Sequence, residues 1–512
     1  VNHDDDIPLP TDDDYNYGPA AMSADGVEAL SNVVPIAGRK NKTKKNKEPT
    51  VLSPGALARH PAWTSVDFAH EFVRRHGHDL WCASESEDWL IWNGKHWKEN
   101  SIREAELRAE RFTTAMLQEA KDATVPEGED EEELKYKTIG NITSRLTHHH
   151  IREMCQLARK QPGVNISQER MNKRLDLLSV ANCTINLRDG SHFPHRREDG
   201  ATFVSDIPYD PDANCPVWEE FLDYTFYGSD EMIDFVQRLM GYTLTGETKE
   251  QKFFFLHGDG GRGKSTFIET LARILGKHAQ AVPTSFIELL RIEEHPASLA
   301  STFGKRMVLT SETREGRVMD EVRVKQFTGE DTVSARRMCE NFFTFRPIGK
   351  LFVAGNHKPV IMGADEGVWR RMVLIEFNRE VTEEMRASNL KERIEAELPG
   401  IMAWAVRGAA AWYQQGLLVP AAIAEATASY RKEQNVFDQF IQEHFVTGKG
   451  GWVISTTFRA VYEGWCKDNG VMPLAVGKVG ARMRKYGSES KSVKESGKTK
   501  QAWVNVYKRD EL

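Results

Sequence analysis

No run of about 18 apolar residues occurs in this 512-residue chain, so no segment reads as a membrane-spanning helix. Cysteine is scarce. Cys82, Cys155, Cys183, Cys215, Cys339 and Cys466 are scattered with no CxxC pair, the pattern of reduced, partly buried thiols in a reducing compartment. The opening Val1-Asn-His-Asp-Asp-Asp6 has neither the basic nor the apolar region of a signal peptide. It also lacks an initiating methionine, so the chain is expected to be a piece of something longer. Arg509-Asp-Glu-Leu512 has the form of an ER-retention tetrapeptide, but no secretory signal accompanies it. A basic balance is missing as well. The 68 Lys and Arg stand against 75 Asp and Glu, a net charge of −7. Local charge is more telling: residues 478–509 hold ten Lys/Arg against two Glu, an excess of +8. Residues 39–47 form a second basic block, while acid gathers at 4–6, 12–14 and 127–133.

What is present falls into five stretches. Residues 1–60 combine acidic runs, prolines and lysines with few large apolar groups, a composition expected to be disordered. Residues 61–215 form an N-terminal mixed α/β domain. Within it, 89–97 reads as two short strands joined at Asn93-Gly94, and 102–158 as a charged helical region interrupted near Pro126. The tryptophans of that hairpin could stack nucleobases or simply form a small core. Residues 148–150, three histidines beside Arg145 and Arg152, read as a solvated helix face. Residues 216–400 alternate helix and strand. A helix is expected at 230–244 and a buried parallel strand at 252–257. A second helix follows at 265–275, with further strands at 306–310, 350–354 and 371–377. That alternation predicts a three-layer α/β domain around a mostly parallel sheet. Residues 392–413 read as one helix, running from the end of that domain into a helical linker assigned to 401–447. Residues 448–512 read as helix, helix, then a Gly/Lys-rich turn before 502–507, an order that suits a winged-helix module.

The chemistry starts at Gly258-Asp-Gly-Gly-Arg-Gly-Lys-Ser265, a complete GxxxxGK[ST] between a predicted strand and a predicted helix. The glycines let successive N–H groups face phosphate oxygens, and the helix N-terminus adds partial positive charge. This predicts ATP held by Gly258, Asp259, Gly260, Gly261, Arg262, Gly263, Lys264, Ser265 and Thr266. Lys264 is placed on the β- and γ-phosphates and the Ser265 hydroxyl on Mg2+. Next, Arg306-Met-Val-Leu-Thr-Ser-Glu312 is an apolar strand ending in a carboxylate, where Glu312 can orient the attacking water. Ser311 stands where a second carboxylate would help hold Mg2+. Lys350-Leu-Phe-Val-Ala-Gly-Asn356 ends another strand in an amide suited to sensing the γ-phosphate. Gly367-Val-Trp-Arg-Arg-Met372 places Arg370 and Arg371 just before the next strand, where one of them can reach a neighbouring subunit's nucleotide. Each could be a turn amide or surface charge by itself; the order and spacing after the phosphate loop carry the reading.

With these motifs the chain resembles the superfamily 3 helicases, in the phage and plasmid primase–helicase branch related to the poxvirus nucleoside triphosphatase-primase. Residues 89–97, 178–187, 209–218 and 238–246 flank the ATPase in the family's order, and the likeness runs roughly from Trp81 to Tyr507. The resemblance implies an AAA+-like homo-hexameric ring, moving 3′-to-5′ on single-stranded DNA in a phage or plasmid replication system. That setting would be a bacterial host cytoplasm, with forked DNA and a primase or polymerase as partners. It assigns Lys264, Ser265, Glu312, Asn356 and the Arg370/Arg371 pair to the roles above, with Arg371 favoured as the trans finger. Residues 324–331 and 333–345 match the family's remaining motif. The second stretch implies a hairpin carrying Arg336, Arg337 and Asn341 that grips the DNA backbone together with Lys325.

Two departures stand out. No N-terminal stretch has room for a primase-polymerase domain, so this chain is not expected to make primers itself. The position before Gly263-Lys264 is Arg262, where relatives often have Asn. Three other readings compete: an initiator that assembles on an origin without processive unwinding, an RNA-directed or packaging ring ATPase, and a small-molecule kinase. The kinase would leave Asn356 and the arginine pair without purpose.

Overall fold

The computed structural model describes residues 62–509, apart from 100, 291–296, 312–315, 339–340, 362–365, 435, 470–472 and 475. The expectation of disorder in 1–60 lies outside the described residues. No helix among the described residues is long and apolar enough to cross a membrane.

Strands β1 (Leu80–Ala83), β2 (Trp89–Trp92), β3 (Trp97–Lys98) and β4 (Asn165–Ile166) form one sheet in the order β3-β2-β1-β4. The β2–β3 turn at Asn93-Gly94 is the expected hairpin: Trp92 pairs with Trp97, and Gly94 takes φ +94. Its aromatic rings are not available for nucleobases. Trp81 and Trp97 stack on each other with centroids 3.7 Å apart, and Trp92 is buried beside them. The charged helical region between β3 and β4 is three helices, Ile102–Asp122, Glu129–Ser144 and His148–Ala158.

A second small sheet, β5 (Leu177–Ser179), β6 (Thr184–Asn186) and β7 (His192–Phe193), is sequentially antiparallel. Leu178 and Ile185 of this sheet, with the flanking Val180 and Leu187, share a core with the large domain that follows, not with the first sheet.

That large domain is built on β8 (Phe253–His257), β9 (Ala279–Ala281) and β10 (Met307–Ser311). A hairpin follows, β11 (Val333–Arg336) and β12 (Phe342–Phe345), and then β13 (Lys350–Gly355) and β14 (Met372–Glu376). The main sheet runs β14-β8-β13-β10-β9 with every neighbouring pair parallel. Apolar residues fill both faces of these strands because helices cover both. Phe254, Leu256 and Phe352 enter one core; Phe253, Phe255, Leu351 and Val353 enter the other. Helices Asp230–Leu244 and Leu398–Gln415 cross over the first face at backbone contact. A Cβ on Gly241 would lie 2.0 Å from the Ala409 nitrogen, and one on Gly408 2.0 Å from the Gln237 carbonyl oxygen.

The single helix expected over 392–413 is two, Leu390–Ala396 and Leu398–Gln415, broken at Glu397. Pro399 opens the second helix, where its missing N–H costs nothing. The Glu397 carboxylate turns instead to the start of helix Pro216–Thr225, accepting from the N–H groups of Val217 (2.9 Å) and Trp218 (3.1 Å).

The C-terminal part also differs from its expected outline. Before the two expected helices, Ser455–Asp468 and Val476–Lys485, comes a ten-residue strand β15 (Phe445–Ile454). It pairs with β17 (Lys498–Lys508), which in turn pairs with β16 (Ser490–Glu495). The core beneath this sheet begins upstream, at Phe437, Phe440 and Ile441 of helix Val436–His444. A boundary drawn at 448 cuts through that core.

Candidate functional site

The loop from Gly258 to Gly263 leaves the carboxyl end of β8 and enters helix Lys264–Leu275. Strand order reverses at β8: β9, β10 and β13 lie to one side, and β14, next in sequence after β13, lies on the other. Such a switch point opens a crevice at the strand ends, the usual seat of a ligand in an open parallel sheet. Two glycines make the turn possible. Gly258 has φ +156, and a Cβ there would strike the Phe377 carbonyl oxygen at 2.3 Å. Gly263 has φ +86, with Phe221 at 3.0 Å from its would-be Cβ. Gly260 faces open space. The loop is therefore a bare-backbone cradle at a helix N-terminus, which fits a triphosphate.

Lys264 is buried and folded back over this cradle. Its Nζ donates to the carbonyls of Gly258 and Asp259 (2.8 Å to the latter) and to Oδ1 of Asn356 at 2.9 Å. Burial pulls its pKa below the ordinary lysine range, while the Asp259 carboxylate pushes the other way. Asn356 follows β13, which pairs with β8 so that Gly355 stands opposite His257. The sheet itself thus brings these residues of distant sequence together. Ser265 is exposed at the first turn of the helix, with Thr266 half-buried beside it. Arg262 bridges the Asp259 carboxylate and the Asn378 carbonyl (2.6 Å to the latter). Glu312 lies outside the described residues; its neighbour Ser311 ends β10 opposite Ala354 of β13.

Arg370 and Arg371 are at the other end of the sheet. Met372 pairs with Phe253 where both strands begin, and Glu376 with His257 where they end. Five residues of strand separate the arginines from the Gly258–Gly263 loop by about 16 Å. Arg371 is 9% exposed and donates to Gln251 Oε1 at 2.9 Å, while Arg370 is exposed.

The expected hairpin forms as the antiparallel β11–β12 pair, but Arg336 ends β11 opposite Phe342 instead of lying in the turn, where Arg337 follows. The Arg336 guanidinium lies 5.5 Å from the Phe342 ring, and Phe342 itself is 62% exposed. Arg337 pairs with Asp88 at 3.3 Å. Lys325 is half-buried on helix Glu321–Thr328.

Two buried cations were read only as strand starts. Arg306 donates to the carbonyls of Leu244 and Leu177, and Lys350 to that of Thr245. Leu244 and Thr245 end helix Asp230–Leu244, so these charges sit on the negative end of its dipole. Burial drives the Arg306 pKa down to about 10 and that of Lys350 well below the lysine range. No local signal separates such residues from surface charge. A second group that escaped the sequence is Tyr224, Tyr227 and Arg379, where the guanidinium lies 3.8 Å from the first ring and 5.2 Å from the second. Among the described residues Cys82, Cys155, Cys183, Cys215 and Cys466 are buried and unpaired. Burial raises Cys82 to about 11 and Cys155 to about 12.

Comparison with known proteins adds independent findings. Residues 69–227 match the family described as "D5 N terminal like", and residues 256–371 match a "Family of unknown function (DUF5906)". A protein of Acanthamoeba polyphaga mimivirus named "Putative helicase L207/L206" is 28% identical over 260 residues, 46% of this chain and 27% of that protein. Frog virus 3 (isolate Goorha) has a "Putative helicase 022R" that is 25% identical over 230 residues, 41% of this chain and 24% of that protein. The aligned region thus spans about a quarter of the length of these curated relatives. Among solved structures, the apo NrS-1 C-terminal region aligns over 87% of this chain and 99% of its own, at 13% identity and a TM-score of 0.47.

Proposed function

We propose that this chain is a member of the phage and viral primase–helicase family, and that within that family it is an ATP-dependent DNA helicase of a replication system. Its match to the D5 N-terminal-like family and its likeness to viral proteins named as putative helicases support the reading. In this reading it is a ring translocase that moves 3′-to-5′ on single-stranded DNA. The observation that carries the reading is the 2.9 Å contact between Lys264 Nζ and Asn356 Oδ1 at the carboxyl ends of adjacent parallel strands. A lysine satisfied by loop carbonyls and a strand-end amide can exchange those partners for phosphate oxygens without refolding. The Ser265 hydroxyl would hold Mg2+. Bound ATP supplies the phosphoanhydride whose cleavage drives movement. The N–H groups of 258–265 then hold phosphate oxygens, Glu312 orients the attacking water and accepts its proton, and Asn356 senses the γ-phosphate.

The arginine pair supports hydrolysis at subunit interfaces, because about 16 Å of strand keeps both from their own chain's loop. The sequence pattern leaned to Arg371. Its burial against Gln251 makes Arg370, the exposed member, the better finger for a neighbouring subunit. Helix Val436–His444, β15, two helices and the β16–β17 hairpin follow one another in an order that supports a winged-helix reading of the C-terminal part.

ATP hydrolysis measured with and without single-stranded DNA, alongside strand displacement on 3′- and 5′-tailed forks, tests the proposal. Stimulation by DNA with displacement from a 3′ tail is expected. Stimulated hydrolysis without displacement on either fork would point to the initiator instead, and stimulation by RNA alone to an RNA-directed motor.

A further inference from the structure

We infer that Tyr227 and Arg379 form the platform on which the nucleobase of the bound triphosphate stacks. The inference rests on the nucleotide-site reading above. Asn356 meets Lys264 on the β13 side of β8, so the terminal phosphate belongs there. The sugar and base must then leave the loop on its other side, toward β14. On that side the loop is tied down twice: the Val381 N–H donates to the Gly261 carbonyl at 3.1 Å, and Arg262 to that of Asn378 at 2.6 Å.

Between those two anchors the chain carries Arg379 and Glu380, and both reach the end of helix Pro216–Thr225. The Tyr224 hydroxyl donates to the Glu380 carbonyl at 2.8 Å, and Arg379 donates to the Tyr224 carbonyl at 3.1 Å. The same helix passes under the loop, since Phe221 is what a Cβ on Gly263 would meet. Tyr224, Arg379 and Tyr227 therefore line the rim of the crevice where a base would emerge. Arg379 lies over the Tyr224 ring, while Tyr227 is 64% exposed.

Tyr227 also holds a left-handed backbone, φ +57, directly before Gly228 at φ +68. A bulky side chain is seldom kept in that conformation, which throws its ring outward here. Packing of the adjacent Phe226 against Phe377, with centroids 5.5 Å apart, fixes the turn. An aromatic ring beside a guanidinium binds any flat base by stacking and reads no base edge. The site should therefore take purine nucleoside triphosphates with little preference between ATP and GTP.

The test uses the full chain. Dissociation constants are measured for ATP, GTP and inorganic tripolyphosphate, on wild type and on the Tyr227→Ala and Tyr227→Trp variants. Tyr227→Ala is expected to weaken ATP and GTP about tenfold and to leave tripolyphosphate unchanged, with Tyr227→Trp near wild type. Unchanged ATP affinity in Tyr227→Ala, or equal losses for ATP and tripolyphosphate, would overturn the platform. So would a tenfold or greater preference of wild type for ATP over GTP. If wild type bound none of the three ligands, the phosphate-loop reading would fall and the platform with it.

Discussion

Arg337, in the turn of the β11–β12 hairpin, pairs with Asp88, in the β1–β2 turn, at 3.3 Å, so the candidate DNA-gripping hairpin is tied to the N-terminal sheet. Phe343 lies 5.4 Å from the same guanidinium, and Glu99 lies within its field. Burial raises the Glu99 carboxyl pKa, with Arg337 acting the other way. An arginine shared with a carboxylate is partly withdrawn from phosphate. Asp88→Asn is therefore expected to raise single-strand affinity about twofold at low salt, the scale of a partly exposed ion pair. Arg337→Ala should lower it and flatten its salt dependence, and the double variant should match Arg337→Ala. Fluorescence anisotropy across a salt series checks this. An Asp88→Asn variant that gains nothing would make Arg337 a docking residue for the N-terminal sheet.

The phosphate loop makes a sharper statement. Lys264→Ala should abolish hydrolysis without unfolding the domain, because two of the three partners it leaves behind, Asp259 and Asn356, are exposed and can turn to water. Asn356→Ala and Glu312→Gln should bind ATP within a few-fold of wild type. Their turnover should drop about a hundredfold or more, as when a group that acts mainly in the transition state is removed. Equilibrium binding beside single-turnover hydrolysis separates the two effects. Near-normal turnover in Glu312→Gln would end its role in activating water.

How much of this was legible in the sequence depended on whether the signal was local. The run of phenylalanines in β8, the glycine loop and the following helix each follow from neighbouring residues, as does the Asn93-Gly94 turn. Strand β9, Ala279–Ala281, has no apolar run and exists because β10 pairs with it. Strand β15 contains Gly448, Gly450 and Gly451, which weaken strand propensity, yet β17 pairs along it on either side of an irregularity between Thr447 and Trp452. Residues 392–413 read as one helix because Glu397 is a good helix former. Its carboxylate has a better use on the N–H groups of Val217 and Trp218, 179 to 180 residues away. Arg306 and Lys350 pose the same difficulty. A charge at a strand start looks exposed until the helix whose carbonyls it meets is known.

Acid should loosen the junction between the N-terminal part and the main sheet. The Asn93 side-chain amide donates to His96 Nδ1 at 3.3 Å, and burial drives the ring's pKa down to about 4. His278 is fully enclosed near Arg306 and Lys305, and burial drives it well below the histidine range. Both rings are neutral in the fold but take up protons in the unfolded chain below about pH 6.5. The unfolded state thus binds more protons, and stability falls as pH drops from 6.5 toward 4. For His96 the loss at pH 5 reaches up to about 2 kcal/mol. Denaturant midpoints at pH 7.5 and 5 should show His96→Gln losing less than wild type between the two. Equal losses would mean that His96 is not kept neutral by the fold.

The two arginines should behave differently. Arg371→Ala removes a buried side chain that donates to Gln251, so it should lower stability as well as activity. Arg370→Ala should leave the melting temperature nearly unchanged and still abolish hydrolysis. Mixing it with Lys264→Ala should restore part of the activity, because one kind of interface regains both halves. Failure to recover in rings shown to be mixed would count against a trans arginine.

The C-terminal part should be separable, but only at the right residue. Gln434 belongs to the main-sheet domain: its side-chain oxygen accepts from the Ile361 N–H at 3.1 Å, and Tyr430 before it is buried in that core. Phe437, Phe440 and Ile441 belong to the other core, packed on Phe458, Tyr462, Trp503 and Val506. A chain ending at Gln434 therefore divides the two cores. One ending at Val446 strands four of their large apolar side chains, Phe437, Phe440, Ile441 and Phe445, in water and should aggregate. The module's outer surface carries Arg484, Lys491, Lys494, Lys498 and Lys500, all exposed, within a stretch of local charge +8. Under the proposed function, phosphate contacts made by such a surface are expected to deliver the protein to duplex or forked DNA without driving the motor. Residues 1–434 should therefore keep basal ATP hydrolysis and assembly. They should lose affinity for forked DNA, most clearly at low salt, where screening is least. Equal affinity of the shortened and full chains for a fork at low ionic strength would reduce this basic surface to a solubilising one.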